Sequence, residues 1–146
     1  MSPDSHQLAK KVLEEAFVMS LGIADESGPW VADVVYVYDG DFNLYWISRP
    51  DARHSRALGS VGKAACTIHA SWETHNERAL QIEGRVEKIE GPMFELEKKL
   101  EAKRGTPEPR RPGEILAEGL EWYKLTPDKI FLIHSKPFDY ERQAIR

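Results

Sequence analysis

At 146 residues with one cysteine, the chain reads as a single domain (1–146) with one core, too short for several active sites and unable to form an intrachain disulfide. A formal charge of −4, with no basic run longer than the pairs Lys98-Lys99 and Arg110-Arg111, argues against nucleic acid as a partner. No apolar run approaches the roughly 20 residues that span a bilayer, and the start Met-Ser-Pro-Asp-Ser-His lacks the basic-then-apolar order of a secretory leader. A cytoplasmic protein without a membrane partner is therefore expected.

Leu8, Val12 and Ala16, with Leu13 and Phe17 beside them, repeat at helical spacing and predict an amphipathic helix over residues 5–17 packed on a sheet. A strand at 18–24, a turn at Asp25-Glu-Ser-Gly28 and a strand at 29–38 make a hairpin. The second of these strands is apolar on both faces except at Asp33, the pattern of a strand covered from two sides, inside a barrel or at an interface. Asp39-Gly-Asp41 then turns the chain into a strand at 44–48.

Residues 44–58 carry the most chemistry. Ser48-Arg-Pro50 breaks the strand, and Asp51 can start a helix whose first turn holds Arg53, His54 and Ser55. The first amides of a helix lack internal partners and its N-terminal end favours negative charge. Arg53 can fork two donors onto phosphate oxygens, and Ser55 can add a hydroxyl. A solvated helix with exposed basic residues would show the same residue types. If Asp51 is the cap, its carboxylate competes with a ligand for the amides of Arg53 and His54, so phosphate would meet side chains more than backbone.

After a turn at 59–62, a strand is expected at 63–69 and another at 79–89, the latter with Leu80, Ile82, Gly84 and Val86 on one face and Gln81, Glu83, Arg85 and Glu87 on the other. Gly84 marks a place of close approach. A helix at 93–103 puts Lys98, Lys99 and Lys103 on its wet side, residues 105–113 form a proline-rich loop and 114–118 a helical turn. Strands at 120–125 and 129–134 flank a turn at Thr126-Pro-Asp128. Cys66 reads as a small buried hydrophobe, and because Cys66 and His69 face opposite sides of a strand they do not make a metal site with His75. His6 and His134 read as surface residues, and Glu73, Glu77, Glu83 and Glu87 as a solvated rim. Trp30, Trp46, Trp72 and Trp122 suit either a core or a pocket for a flat ligand. About seven strands with hairpin-length connections and two longer helices favour a mainly β chain built as an antiparallel barrel.

The order of the pieces, Leu21-Gly-Ile-Ala-Asp-Glu-Ser-Gly-Pro-Trp30, then 44–58, then 63–68, then Leu80-Gln-Ile-Glu-Gly84, resembles the pyridoxamine 5'-phosphate oxidase-like family of flavin-binding split barrels over residues 17–134. The resemblance implies a six- to seven-stranded antiparallel split β-barrel with an N-terminal helix and one helix after the fifth strand. It also implies a homodimer holding flavin mononucleotide (FMN) between two barrels, and an FMN-dependent oxidoreductase passing electrons or hydride to a small molecule, with a reduced nicotinamide as donor. By position, Ser48 and Arg53 fall on the phosphate, with His54 where the oxidase has a lysine. Gln81 falls near the ring or ribityl chain, and Trp30, Val34 and Val35 fall on the strand passing the ring. The absence of arginine from residues 31–38 and the tail Phe138-Asp-Tyr-Glu-Arg-Gln-Ala-Ile-Arg146 depart from the oxidase, which argues against pyridoxamine 5'-phosphate as substrate. No residue is singled out as a catalytic acid or base. Relatives on this scaffold leave two alternatives: a non-enzymatic flavin or haem binder with His54, His69 or His75 as axial ligand, or a reductase using the deazaflavin F420, for which Arg49, Arg53 and Arg56 are the basic residues at hand.

Overall fold

The computed structural model describes residues 4–59, 61–71, 73–136 and 138–146; Ser60, in the turn expected at 59–62, and Trp72 lie outside the described residues. Helix α1 (Ser5–Glu15) starts where the Asp4 carboxylate accepts the amide of His6 at 2.9 Å, and it buries Ala9, Val12 and Leu13 against the sheet. His6 is thus ordered in the first turn of α1 and exposed.

The strand expected over 29–38 is two strands. β1 (Val18–Asp25) pairs with β2 (Gly28–Val35), whereas β3 (Val37–Tyr38) pairs with β4 (Leu44–Ser48). Between them Tyr36 belongs to neither ladder. The chain-order neighbours β2 and β3 are the two ends of a sheet ordered β2-β1-β5-β6-β7-β4-β3, so the sheet curls until its edges meet at one kinked segment. Tyr36 locks that seam from inside: it is fully buried and its hydroxyl donates to the Leu13 carbonyl at 2.8 Å, satisfying a C-terminal acceptor of α1. Periodicity could not show the break, because both pieces alternate in the same phase.

β5 (Val61–Ser71), β6 (Arg78–Ile89) and β7 (Glu121–His134) form the long middle of the sheet. The two strands expected at 120–125 and 129–134 are one, since Thr126-Pro-Asp128 passes as a bulge rather than a turn. Register shifts there between Glu83, opposite Lys129, and Gly84, opposite Pro127. A proline lacks the amide a regular ladder needs and is accommodated at such a bulge. A Cβ on Gly84 would stand 2.3 Å from the Thr126 carbonyl oxygen, which is the close approach its sequence position suggested.

Helix α3 (Phe94–Arg104) ends on Gly105 in the left-handed region (φ 74°) and packs Leu100 with Val37 and Trp122 into a second, smaller cluster. Glu97 of α3 is fully buried, and its carboxylate accepts the amides of Met93 at 2.8 Å and Gly113 at 2.7 Å, tying the helix start to the proline-rich loop. The turn expected at 114–118 is a short 3-10 helix, Glu114–Leu116. A last strand, β8 (Gln143–Ala144), adds to β7 from a tail with no strand pattern. The main core holds Met19, Leu21, Leu44, Ile68, Leu80 and Ile130, with Trp46 stacked on Tyr123 at 5.9 Å. The chain is thus mainly β, a curled antiparallel half-barrel with flanking helices. Among the described residues no helix is long and apolar enough to cross a membrane.

Candidate functional site

Residues 44–58 fold as β4, a break and α2 (Arg53–Leu58), but the helix start differs from expectation. Ala52 is the capping position and offers no side-chain bond; Asp51 instead takes Nε and Nη2 of Arg49, each at 3.0 Å. The neighbouring cation outcompetes the helix amides for that carboxylate. No side chain therefore caps the first-turn amides, and with only six residues α2 offers an anion its side chains more than a dipole.

Arg53 is the most constrained of these side chains. Its guanidinium lies 4.5 Å from the Trp30 ring centroid, and its Nε and Nη2 donate to the two carboxylate oxygens of Asp25 at 2.8 and 3.0 Å. Trp30 and Asp25 sit at the end of the β1–β2 hairpin, so α2 meets that hairpin through one ion pair and one stack. The guanidinium holds the Asp25 carboxyl below the usual carboxylate range. Two of its five N–H groups are engaged by Asp25, which leaves the Nη end with three that have no partner among the described residues. Beside it, Ser48 Oγ and His54 Nε2 are 2.8 Å apart, and burial pushes the imidazole below its ordinary value, so His54 is neutral near pH 7. Ser55 is buried, its hydroxyl without a partner among the described residues. Residues 48–55 thus hold a planar cation with one edge open, a Ser–His pair and a buried unmet hydroxyl, each a donor type that phosphate oxygens accept.

The residues expected on the ring-bearing strand divide by alternation. Val34 points into the core and is 8% exposed, and Val35 packs on the α3 cluster. Trp30 and Val31 are 44% and 63% exposed, so β2 is not covered from both sides within one chain. As an edge strand bonded only to β1, it directs half of its backbone N–H and C=O groups outward.

Gln81 lies elsewhere. Pairing registers set Asp33, Ser20, Thr67, Gln81 and Phe131 in one row across the sheet, and Val31, Gly22, Ala65, Glu83 and Lys129 in the next. All of these but Asp33 line a groove of about 400 Å³ on the sheet's outer face, where Gly22 and Ala65 leave room because they project so little. Arg142 lies 4.6 Å from the Phe131 ring centroid and forms its far wall. Val31 faces this groove while its neighbour Trp30 pairs with the core residue Ile23, so within one chain Gln81 and Arg53 are on opposite faces of the hairpin. Lys129, Phe131 and Arg142 were not singled out from sequence. The register of β6 on β7 brings Lys129 and Phe131 beside Gln81, and the tail stacks Arg142 on Phe131.

Two surface expectations change. His134 is 8% exposed and opposite Arg78, because the continuous β7 carries the alternation of Ile130 and Leu132 onward to it. Lys103, expected on the wet side of α3, instead places its amine on the Tyr36 carbonyl at 2.6 Å, since the kink leaves that carbonyl without a ladder partner. Glu83, though exposed, lines the groove. Cys66 is buried and its thiol is pushed up to about 12 by burial, the state of an unreactive core residue. Among the described residues no three His, Cys, Asp or Glu side chains converge as a metal site.

No protein-family model and no curated protein matches the sequence. Solved structures do share the fold. The chain is similar to a putative pyridoxamine 5'-phosphate oxidase from Listeria innocua, with a TM-score of 0.69 and 14% identity over 89% of this chain and 98% of that one. It is similar to an F420 reductase, with a TM-score of 0.66 and 18% identity over 88% and 98%. A heme binding protein from Mycobacterium smegmatis matches with a TM-score of 0.67 and 17% identity over 99% of this chain, which spans 58% of that protein. The architecture is the split barrel that the sequence resemblance implied, shared at low identity.

Proposed function

We propose that the chain is an FMN-dependent oxidoreductase that works as a cytoplasmic homodimer. The observation that carries this reading is the open edge of Arg53, a guanidinium whose plane is set by Trp30 and Asp25 while its Nη end stays unsatisfied. Arg53 takes the cofactor phosphate there, with Ser48, His54 and Ser55 as neighbouring donors. The outward backbone groups of β2 near Val34 and Val35 meet the edge of the flavin ring.

Because Arg53 and Gln81 occupy opposite faces within one chain, a cofactor that touches both is shared by two protomers: one supplies the phosphate grip and the other the groove around Gln81. The exposed Trp30 and Val31 give that seam its apolar surface. Bound FMN supplies the hydride or electron transfer, and a reduced nicotinamide is the donor that can stack on its open face. The chain's own part is to bind, orient and exclude water.

Haem is the second reading, favoured by His69, which stands exposed on the groove side two residues along β5 from Thr67. F420 is the third, and Lys129 and Arg142 add groove cations to Arg53 for its acidic tail.

The test is an absorption scan after FMN, F420 or haem is added to the protein and excess removed, with mass measured in solution. A retained flavin doublet on a dimer is expected. Protein that stays colourless with FMN, or takes up only haem with a sharp Soret band, overturns the flavin reading, and a monomer overturns the shared site.

A further inference from the structure

A cavity of about 470 Å³ lies between α1 and α3, away from the groove, lined by Glu14, Tyr36, Tyr38, Lys99 and Lys103 among others. Lys103 holds its amine at one wall of it, against Tyr36. That nitrogen donates to the Tyr36 carbonyl at 2.6 Å and sits 3.4 Å from the centroid of the Tyr36 ring. Lys99, one helical turn earlier on the same face of α3, brings a second ammonium to the cavity. The Tyr38 hydroxyl, also in the lining, donates to the Glu14 carboxylate. The titratable groups facing the amine are thus Glu14 of α1, Tyr36 at the kink, Tyr38 of β3 and Lys99 of α3.

Aromatic and aliphatic walls strip water from Lys103, and burial pushes it down to about 8 against the opposing pull of Glu14. Near pH 8 about half of it is neutral, against less than about 1% of an ordinary lysine. Capping the kink does not by itself require this. A carbonyl is served equally by an ammonium, whereas a neutral amine donates one N–H to Tyr36 and keeps a lone pair for chemistry.

We propose that Lys103 is a carbonyl-capturing amine, and that the cavity admits a small aldehyde carrying an anionic group, which condenses with Lys103 to an imine while Lys99 holds the anion. The nitrogen lone pair attacks the aldehyde carbon, and the C=O electron pair moves to oxygen. One N–H proton passes to that oxygen, and a second proton, taken from solvent, lets it leave as water. The product is a protonated imine whose remaining N–H stays on the Tyr36 carbonyl, and nothing is oxidised or reduced. The site uses none of the residues assigned to flavin, so it stands or falls independently of that reading.

The test is residue-resolved labelling of the whole chain with glyoxylate, or with propanal as the uncharged counterpart, trapped by cyanoborohydride and mapped by peptide mass. Lys98, whose ammonium Glu95 holds at 2.8 Å, is the internal control. Lys103 should be labelled about tenfold faster than Lys98, with a rate that levels off above about pH 8. Glyoxylate should outpace propanal, and Lys99→Gln should abolish that advantage. Labelling that follows exposure alone, or a Lys103 rate that climbs through pH 10 alongside Lys98, overturns the capture site. Equal rates for the two aldehydes, or a glyoxylate advantage that survives Lys99→Gln, overturns the anionic preference. Because the map is read on the wild-type chain, it does not depend on a Lys103 variant folding.

Discussion

Arg53 and Asp25, 28 residues apart, meet through two hydrogen bonds that fix the guanidinium plane before any ligand arrives. Under the flavin reading, Arg53→Ala should weaken FMN by about 2 kcal/mol, roughly 30-fold, and leave riboflavin nearly unchanged, because only FMN has the phosphate. Titration calorimetry with both ligands checks this; equal losses would mean Arg53 acts through the fold. Asp25→Asn keeps the cation but loosens its orientation, so a smaller loss confined to FMN is expected.

Burial decides when His54 carries charge. Its pKa lies below 6.5 because burial disfavours the imidazolium, so the charge appears only as pH falls through that lowered value. From about pH 7 to 8 the FMN affinity of wild type and His54→Gln should therefore show the same slope against pH. A wild-type affinity that drops across that range while the variant stays flat would show a charged His54 on the phosphate.

Gly84→Ala should destabilise the fold by about 2–3 kcal/mol in urea denaturation. The added Cβ would lie 2.3 Å from Thr126 O and 2.9 Å from Pro127 Cα, both backbone atoms that cannot swing aside. An unchanged midpoint would mean the bulge slides along β6.

Lys103 gives stability a pH window. Its folded value near 8 lies below the ordinary 10.5, so between these the unfolded chain binds more protons and stability rises with pH. Cys66 is raised from 9.0, and Tyr38 and Tyr45 from 10.0, each to about 12, so the thiol offsets the Lys103 gain from about pH 9, and above pH 10 the folded chain binds more protons and stability falls. Stability should climb between about pH 8 and 9 by an amount on the order of 1 kcal/mol, given that Lys103 is partly solvated, then level off and turn down above pH 10, as melting temperatures across that range would show. Lys103→Met should remove the climb, and a climb that persists would assign it to another group.

What the chain's local pattern determined is the set of elements whose buried faces alternate or repeat: α1 from Leu8, Val12 and Ala16, the β1–β2 hairpin around Asp25–Gly28, β6 with Leu80, Ile82 and Val86 inside, and Arg53, His54 and Ser55 at the head of α2. Those features follow from periodicity and turn chemistry among near neighbours. The tertiary structure alone decided the partners. It broke the 29–38 strand at Tyr36, joined the two C-terminal strands opposite Gly84, gave Arg53 to Asp25 and Trp30, set Phe131, Lys129 and Arg142 beside Gln81, and drew Lys103 under the kink. Each of these depends on strand register and sheet curvature, which bring together residues tens of positions apart and leave no period in the sequence to read.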